Sequence, residues 1–221
     1  MKPYSEACER NKEPILEVLR QWFVAPGKVL EIGAGTGQHA VHFAQHQPHL
    51  DWIATDREEN HAGIRLWIDA AGLPNLRGPV QLNVTDAQWP VASTSYVFSA
   101  NTAHIMGWPE VESMFAGVAR VLAPGGVFCL YGPFNRDGRF TSESNFAFDQ
   151  MLRQRDAAMG IRDDQAMLEL GRRNELKLAA DQSLPANNRV LVFVSQLTLF
   201  PARNSQVSTT ESGFSDMLSM P

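Results

Sequence analysis

Residues 29 to 38 read Val29-Leu30-Glu31-Ile32-Gly33-Ala34-Gly35-Thr36-Gly37-Gln38. Apolar residues flank an acid, and glycines then come at alternate positions. The pattern predicts a buried strand that runs into a glycine-rich turn and on into the start of a helix. Glycine admits positive φ and lets a ligand come close to the main chain. The unpaired N–H groups of a helix start favour an anionic group. This turn is therefore expected to hold a nucleotide-like ligand against Gly33, Ala34, Gly35 and Gly37.

Nicotinamide and flavin sites usually space their glycines G-x-G-x-x-G, so that the helix start meets a pyrophosphate. The spacing here is G-x-G-x-G, and Glu31 stands two residues before Gly33. A carboxylate there would repel a pyrophosphate but suits a cationic amino group. S-adenosylmethionine meets both demands, with a carboxylate for the amides and an ammonium for Glu31. An ordinary tight strand-to-helix turn is the structural alternative.

Outward from the turn, strands and helices alternate. Strands are predicted over 28–32, 51–55, 80–84, 95–100 and 127–131. Helices are predicted over 13–23, 38–47, 60–71 and 110–122, with Pro14 in a first turn. That order is βαβαβ, a parallel sheet with helices on both faces. Further helices are expected over 143–155 and 163–173, then strands over 176–184 and 189–200. The link Pro185-Ala186-Asn187-Asn188 is too short for anything but an antiparallel pair. The expected fold is α/β and Rossmann-like, a seven-stranded, mostly parallel sheet ending in an antiparallel hairpin. Domain 1–200 holds it, with 5–27 as an N-terminal cap segment and helix and 132–160 as a candidate lid. The Ser-, Thr- and Asn-rich stretch 201–221 is expected to be a disordered tail.

The bulk numbers narrow the class. At 221 residues, 44% hydrophobic and 19% charged, the chain has enough length and apolar content for a full core. A net charge of −5, with no Lys/Arg run, predicts no nucleic-acid partner. No stretch of about 20 apolar residues predicts a membrane span, and the first residues do not open a signal peptide. The expected compartment is the cytoplasm, with Cys8 and Cys129 as free thiols and no metal spacing.

Ligands of open α/β sheets sit at the carboxyl ends of the strands, which selects the candidate residues. Asp56, ending the second strand, is placed to accept from ribose hydroxyls, with a helix N-cap as the alternative. Asn83 and Val84, at the end of the third, are placed to read adenine; Asn83 serves equally as a turn residue. Asn101 follows the fourth strand and can hold the methionine moiety. His104 is the candidate general base, or else a helix-start histidine satisfied by backbone. Glu143 is the second candidate base. Tyr131 is expected in an acceptor wall. His39, His42, His46 and His49 are read as a solvated helix face and not as metal ligands. No Pro-Pro-aromatic run follows the fourth strand, which argues against methylation of DNA bases.

With these residues in hand, the chain resembles the class I S-adenosylmethionine-dependent methyltransferases. More narrowly it resembles the methyltransferase-like protein 26 type family. The resemblance rests on Glu9-Arg10-Asn11-Lys12-Glu13-Pro14-Ile15-Leu16, the glycine turn, Ser99-Ala100-Asn101-Thr102-Ala103-His104-Ile105-Met106, Leu130-Tyr131-Gly132-Pro133-Phe134, Gly138-Arg139-Phe140-Thr141-Ser142-Glu143-Ser144-Asn145 and Pro185-Ala186-Asn187-Asn188. Asn83 departs from it, since the family usually has Leu-Asp-Val where Leu82-Asn83-Val84 stands here. The resemblance implies the fold and the cofactor but no substrate; the expected activity is in-line methyl transfer to an O, N or S atom of a small acceptor. It also implies that Arg10, Asn11, Lys12 and Asn187 lie on the substrate rim. A catalytically silent cofactor-binding protein working through a partner, and a nicotinamide oxidoreductase, are the competing readings.

Overall fold

A computed structural model describes residues 1–196. The glycine turn sits where the spacing places it. Strand β1 (Gly27–Ile32) leads through the turn into helix α2 (Gln38–His46), behind helix α1 (Glu6–Trp22). Then follow β2 (Leu50–Asp56), α3 (Glu58–Ala71), β3 (Leu76–Gln81), β4 (Thr94–Ala100), α4 (Trp108–Val121) and β5 (Leu122–Gly132). The second half holds β6 (Phe134–Asn135), α5 (Glu143–Arg155), β7 (Arg162–Asp163), α6 (Asp164–Arg173), β8 (Leu176–Leu184) and β9 (Asn188–Ser195).

Seven strands form one sheet in the order β3-β2-β1-β4-β5-β9-β8. β9 alone runs against its neighbours, antiparallel to both β5 and β8, so β8 points the same way as β1 to β5. The turn between β8 and β9 therefore reaches the same edge as the glycine turn. Helices cover both faces, as buried parallel strands require. Ile15, Leu19, Phe43 and Ile64 pack on one face with Val29, Phe98 and Cys129. On the other, Phe115, Val118, Met167 and Leu170 pack with Leu30, Val97, Phe128 and Phe193.

Several boundaries differ from the sequence reading, β5 among them, which begins at Leu122 and not at 127. Helix α1 starts at Glu6 and not at residue 13, because the Ser5 side chain accepts from the Cys8 N–H (3.3 Å) and Glu6 and Glu9 stand in the first turn. Pro14 thus lies inside the helix. Strand β3 spans Leu76–Gln81 and not 80–84. As an edge strand it tolerates Pro79, and Leu76 pairs with Trp52. The last strand ends at Ser195 among the described residues; 197–200 and the tail 201–221 lie outside them.

Candidate active site

The carboxyl ends of the strands open onto a cavity of about 880 Å³. Its floor is the glycine turn, and the turn's conformation shows why glycines stand there. Gly33 has φ +72°, and a Cβ on it would come 2.6 Å from Thr102 Cγ2. Gly35 has φ +60° and faces open space, with nothing within 4 Å of where a Cβ would stand. The Gly35 N–H donates to Asp56 Oδ2 (2.7 Å), so the end of β2 clamps the turn. Asp56 Oδ1 accepts from the Arg57 N–H (2.7 Å) and from Asn60 Nδ2 (2.8 Å). A carboxylate has about four lone-pair sites, so one acceptor site remains for a hydroxyl.

Helix α1 forms one wall. Ala7, Arg10, Asn11 and Pro14, spaced as one helical face, line the cavity. Lys12 turns away and pairs with Glu9, off the cavity wall. The Ser5 N–H donates to Gln38 Oε1 (2.6 Å), tying the start of α1 to the start of α2.

After β4 the chain bends sharply. Asn101 takes φ +58°, a left-handed conformation that Asn tolerates, and its N–H donates to the Tyr131 carbonyl (2.9 Å). His104 follows on the wall, 6% exposed, its ring edge-on to Phe148 at 5.2 Å between centroids. Burial, aided by the Arg162 charge, lowers the imidazole pKa to about 4, so the ring is neutral at ordinary pH. Arg162 braces this loop. Its Nε donates to the Ala103 carbonyl (3.0 Å) and its Nη2 to those of Met106 and Ala158.

Tyr131 near the end of β5, and Pro133, Asn145 and Phe148 beyond it, continue the wall, so part of the 132–160 segment lies over this side. Asn145 Nδ2 donates to the Asn187 carbonyl (3.3 Å), joining α5 to the β8–β9 turn. Ala186 and Asn187 have φ +59° and +57°, the signature of a type I′ turn.

The structure thus brings Gly33, Ala34, Gly35, Asp56, Asn83, Val84, Asn101, His104, Tyr131, Arg10 and Asn11 to one cavity. Several sequence expectations need correction. Glu31 does not reach it. Strand alternation turns Glu31 into the α2 face, where it is 1% exposed and accepts from Trp52 Nε1 (2.7 Å). Burial pushes its pKa up to about 8. Gly37 caps α2 behind the turn (φ +88°) and is off the cavity wall. Asn83, past the end of β3, is on the cavity wall as expected, and its Oδ1 also accepts from the Thr85 N–H (3.2 Å), so neither of its two expected roles is overturned. Glu143 is the exposed first residue of α5, because Ser142 caps that helix, and is not on the wall. Asn187 lines a neighbouring cavity instead.

His39 is not on a solvated face. It is 5% exposed, lines the cavity, and its Nε2 lies 2.7 Å from Asn11 Oδ1. Burial lowers its pKa to about 4. The available signal was its place two residues after Gly37, at the helix start that faces the cavity. The His42 and His46 rings lie 4.3 Å apart between centroids, tilted by 40°. Among the described residues no group of three or more His, Cys, Asp or Glu is placed to hold a metal ion.

A model of a family whose description reads "Protein of unknown function (DUF938)" matches residues 2–195. The chain belongs to the DUF938 family. Solved structures add the fold. The DUF938 chain is similar to an O-methyltransferase family protein from Burkholderia thailandensis, at 17% identity and a TM-score of 0.75, over 86% of this chain and 57% of that one. It is also similar to the mitomycin 7-O-methyltransferase MmcR, at 13% identity and a TM-score of 0.75, over 86% and 54% of the two chains. The YcgJ protein of Bacillus subtilis matches at 16% identity and a TM-score of 0.67, over 86% and 100%. The chain spans a little over half the length of the two O-methyltransferases. At these identities the likeness is one of fold.

Whether S-adenosylmethionine suits the DUF938 cavity is a question of its donors and space. The open volume above Gly35 and the acceptor site left on Asp56 fit a ribose, while the N–H groups of Gly33, Ala34, Gly35 and Gly37 already donate within the protein. Among the described residues no helix is long and apolar enough to cross a membrane.

Proposed function

We propose that this chain is an S-adenosylmethionine-dependent methyltransferase acting on an O, N or S atom of a small molecule. One observation carries the reading: a glycine turn clamped by Asp56 at the carboxyl edge of a parallel sheet, opening onto a cavity of about 880 Å³. Asp56 would hold the ribose, the open backbone at Gly35 and Thr36 would face the amino-acid end, and Asn83 and Val84 would take the adenine. Bound, the cofactor would supply an electrophilic methyl group. The chain's own contribution is positioning and exclusion of water, which supply most of the rate in such displacements. Tyr131, Phe148 and Asn145 would position the acceptor, and neutral His104 would accept its proton.

The narrower resemblance to the methyltransferase-like protein 26 type is part of this reading, as are one domain over 1–200, a cytoplasmic setting and no nucleic-acid partner. The test is direct. Isothermal titration with S-adenosylhomocysteine should give saturable binding, and labelled S-adenosylmethionine with a metabolite extract should give a labelled small molecule. Binding without transfer across broad extracts would favour the silent, partner-dependent reading. Absence of binding would overturn the cofactor assignment.

A further inference from the structure

A glycine turn is expected to hold an anion with its amides, yet here those amides are spent. The N–H groups of Gly33 and Ala34 donate to the Thr55 carbonyl (3.0 and 2.9 Å), that of Gly35 to Asp56, and that of Gly37 to the Ala34 carbonyl (2.9 Å). Within 33–37 that leaves the N–H of Thr36. One amide is a poor match for a carboxylate, which has two oxygens and a full charge.

Helix α1 supplies what the turn lacks. Its residues 5, 8 and 11 run along the start of α2: the Ser5 N–H donates to Gln38 Oε1 (2.6 Å), Cys8 bonds Thr36, and Asn11 Oδ1 lies 2.7 Å from His39 Nε2. Arg10 lies on the adjoining strip of the same helix and faces the cavity. With its oxygen taken by His39, the Asn11 amide has its nitrogen for the Tyr131 phenol, which it hydrogen-bonds. The phenol oxygen accepts there, so its own O–H is left to donate. Arg10 is near enough for its charge to act on the same phenol. It pairs with Glu6 (3.4 Å), but both side chains are largely exposed, and such a pair exchanges readily.

The other charges on the wall stand elsewhere. Arg57 follows β2 and pairs with Glu59 (3.0 Å). His39 and His104 are neutral at ordinary pH. Asp56 ends β2, and Glu110 opens α4, which packs on the opposite face of the sheet from α1. A carboxylate beside Arg10 therefore meets donors.

We infer, resting on the methyltransferase reading above, that Arg10 and the Tyr131 hydroxyl form a clamp for the amino-acid carboxylate of the cofactor, with Asn11 and His39 as positioning residues. The guanidinium fork matches two carboxylate oxygens at once, and the phenol adds a further donor. The strand order agrees. From Asp56 on β2, across β1 and β4, to Tyr131 on β5 is three strand spacings, about 14 Å, which separates a ribose end from an amino-acid end. The cap segment is then part of the cofactor site and not only of the acceptor rim.

The test is calorimetry on the full chain with two ligands, S-adenosylhomocysteine and 5′-S-(3-aminopropyl)-5′-thioadenosine, which is the same molecule without its carboxylate. The parent should bind the first at least ten-fold more tightly. Arg10→Met should weaken S-adenosylhomocysteine at least ten-fold and leave the aminopropyl compound within two-fold; Arg10→Lys should lie between, keeping the charge but not the fork. Tyr131→Phe, a second variant that keeps the ring, should weaken S-adenosylhomocysteine about three-fold or more and spare the other ligand. If Arg10→Met leaves S-adenosylhomocysteine within two-fold, or weakens both ligands alike, the clamp is overturned while the cofactor reading stands. Failure of both ligands to bind the parent would instead overturn the cofactor reading, and the clamp with it.

Discussion

Replacing Asp56 by Ala tests the centre of the site, because one carboxylate both clamps the glycine turn and faces the space for a ribose. It accepts three protein hydrogen bonds, from Gly35, Arg57 and Asn60, at 2.7, 2.7 and 2.8 Å. Bonds to a charged acceptor contribute about 1.5–3 kcal/mol each, but they share one acceptor and water can enter from the cavity. The expected loss of folding stability is therefore about 2–4 kcal/mol, read from urea unfolding midpoints. A ribose held by the same carboxylate adds about 1–3 kcal/mol of binding, so S-adenosylhomocysteine should bind about 5- to 150-fold more weakly. Asp56→Asn keeps one acceptor oxygen and should lie between. Calorimetry on a variant shown to be folded decides it. A dissociation constant within two-fold of the parent would refute the ribose role and leave Asp56 a structural clamp only.

Further outcomes follow from other contacts. Glu31, held at about 8 against an ordinary 4.5, contributes stability that is complete below the lower value and lost as pH rises through the higher one. The unfolding free energy read from urea titrations should thus fall by on the order of a few kcal/mol between about pH 5 and 9, and Glu31→Gln should flatten that decline; equal slopes would contradict the burial argument. Gly33→Val should be destabilised by about 1–3 kcal/mol in thermal melts, since its φ of +72° and the 2.6 Å approach to Thr102 leave no room for a branched side chain. Arg189→Met strips the buried Asp164 of a 3.0 Å partner and Asp181 of another, and should cost about 3–5 kcal/mol by urea unfolding.

What could be read from the residues alone was whatever carries a periodicity or a backbone demand. The strand, turn and helix of 29–46 announce themselves because alternate glycines have few other uses. The hairpin was legible because four residues cannot cross a sheet. The start of α1 was hidden because the residues facing the cavity, such as Ala7 and Asn11, make no apolar stripe; that stripe begins only at Ile15. β3 was displaced because Gly78-Pro79 looks like punctuation, yet an edge strand absorbs it. Glu31 was misplaced for a subtler reason. Position along the strand was right, but the pleat decides which face a side chain takes, and Trp52 on the neighbouring strand claims it. His39 failed in the opposite direction, since helix spacing alone does not tell a face turned to solvent from one turned to a cavity.

The α1 face and the β8–β9 turn close the same cavity, with Asn11 at one end of the chain and Leu184, Pro185 and Asn188 near the other. A ribosome that has made the glycine turn, Asp56 and even β5 has therefore built only a half-open bowl. The last wall arrives with the hairpin, about a hundred and fifty residues after the turn it faces. A chain clipped before the hairpin loses that wall, and the cavity between α1 and the end of β5 then lies open to water on that side.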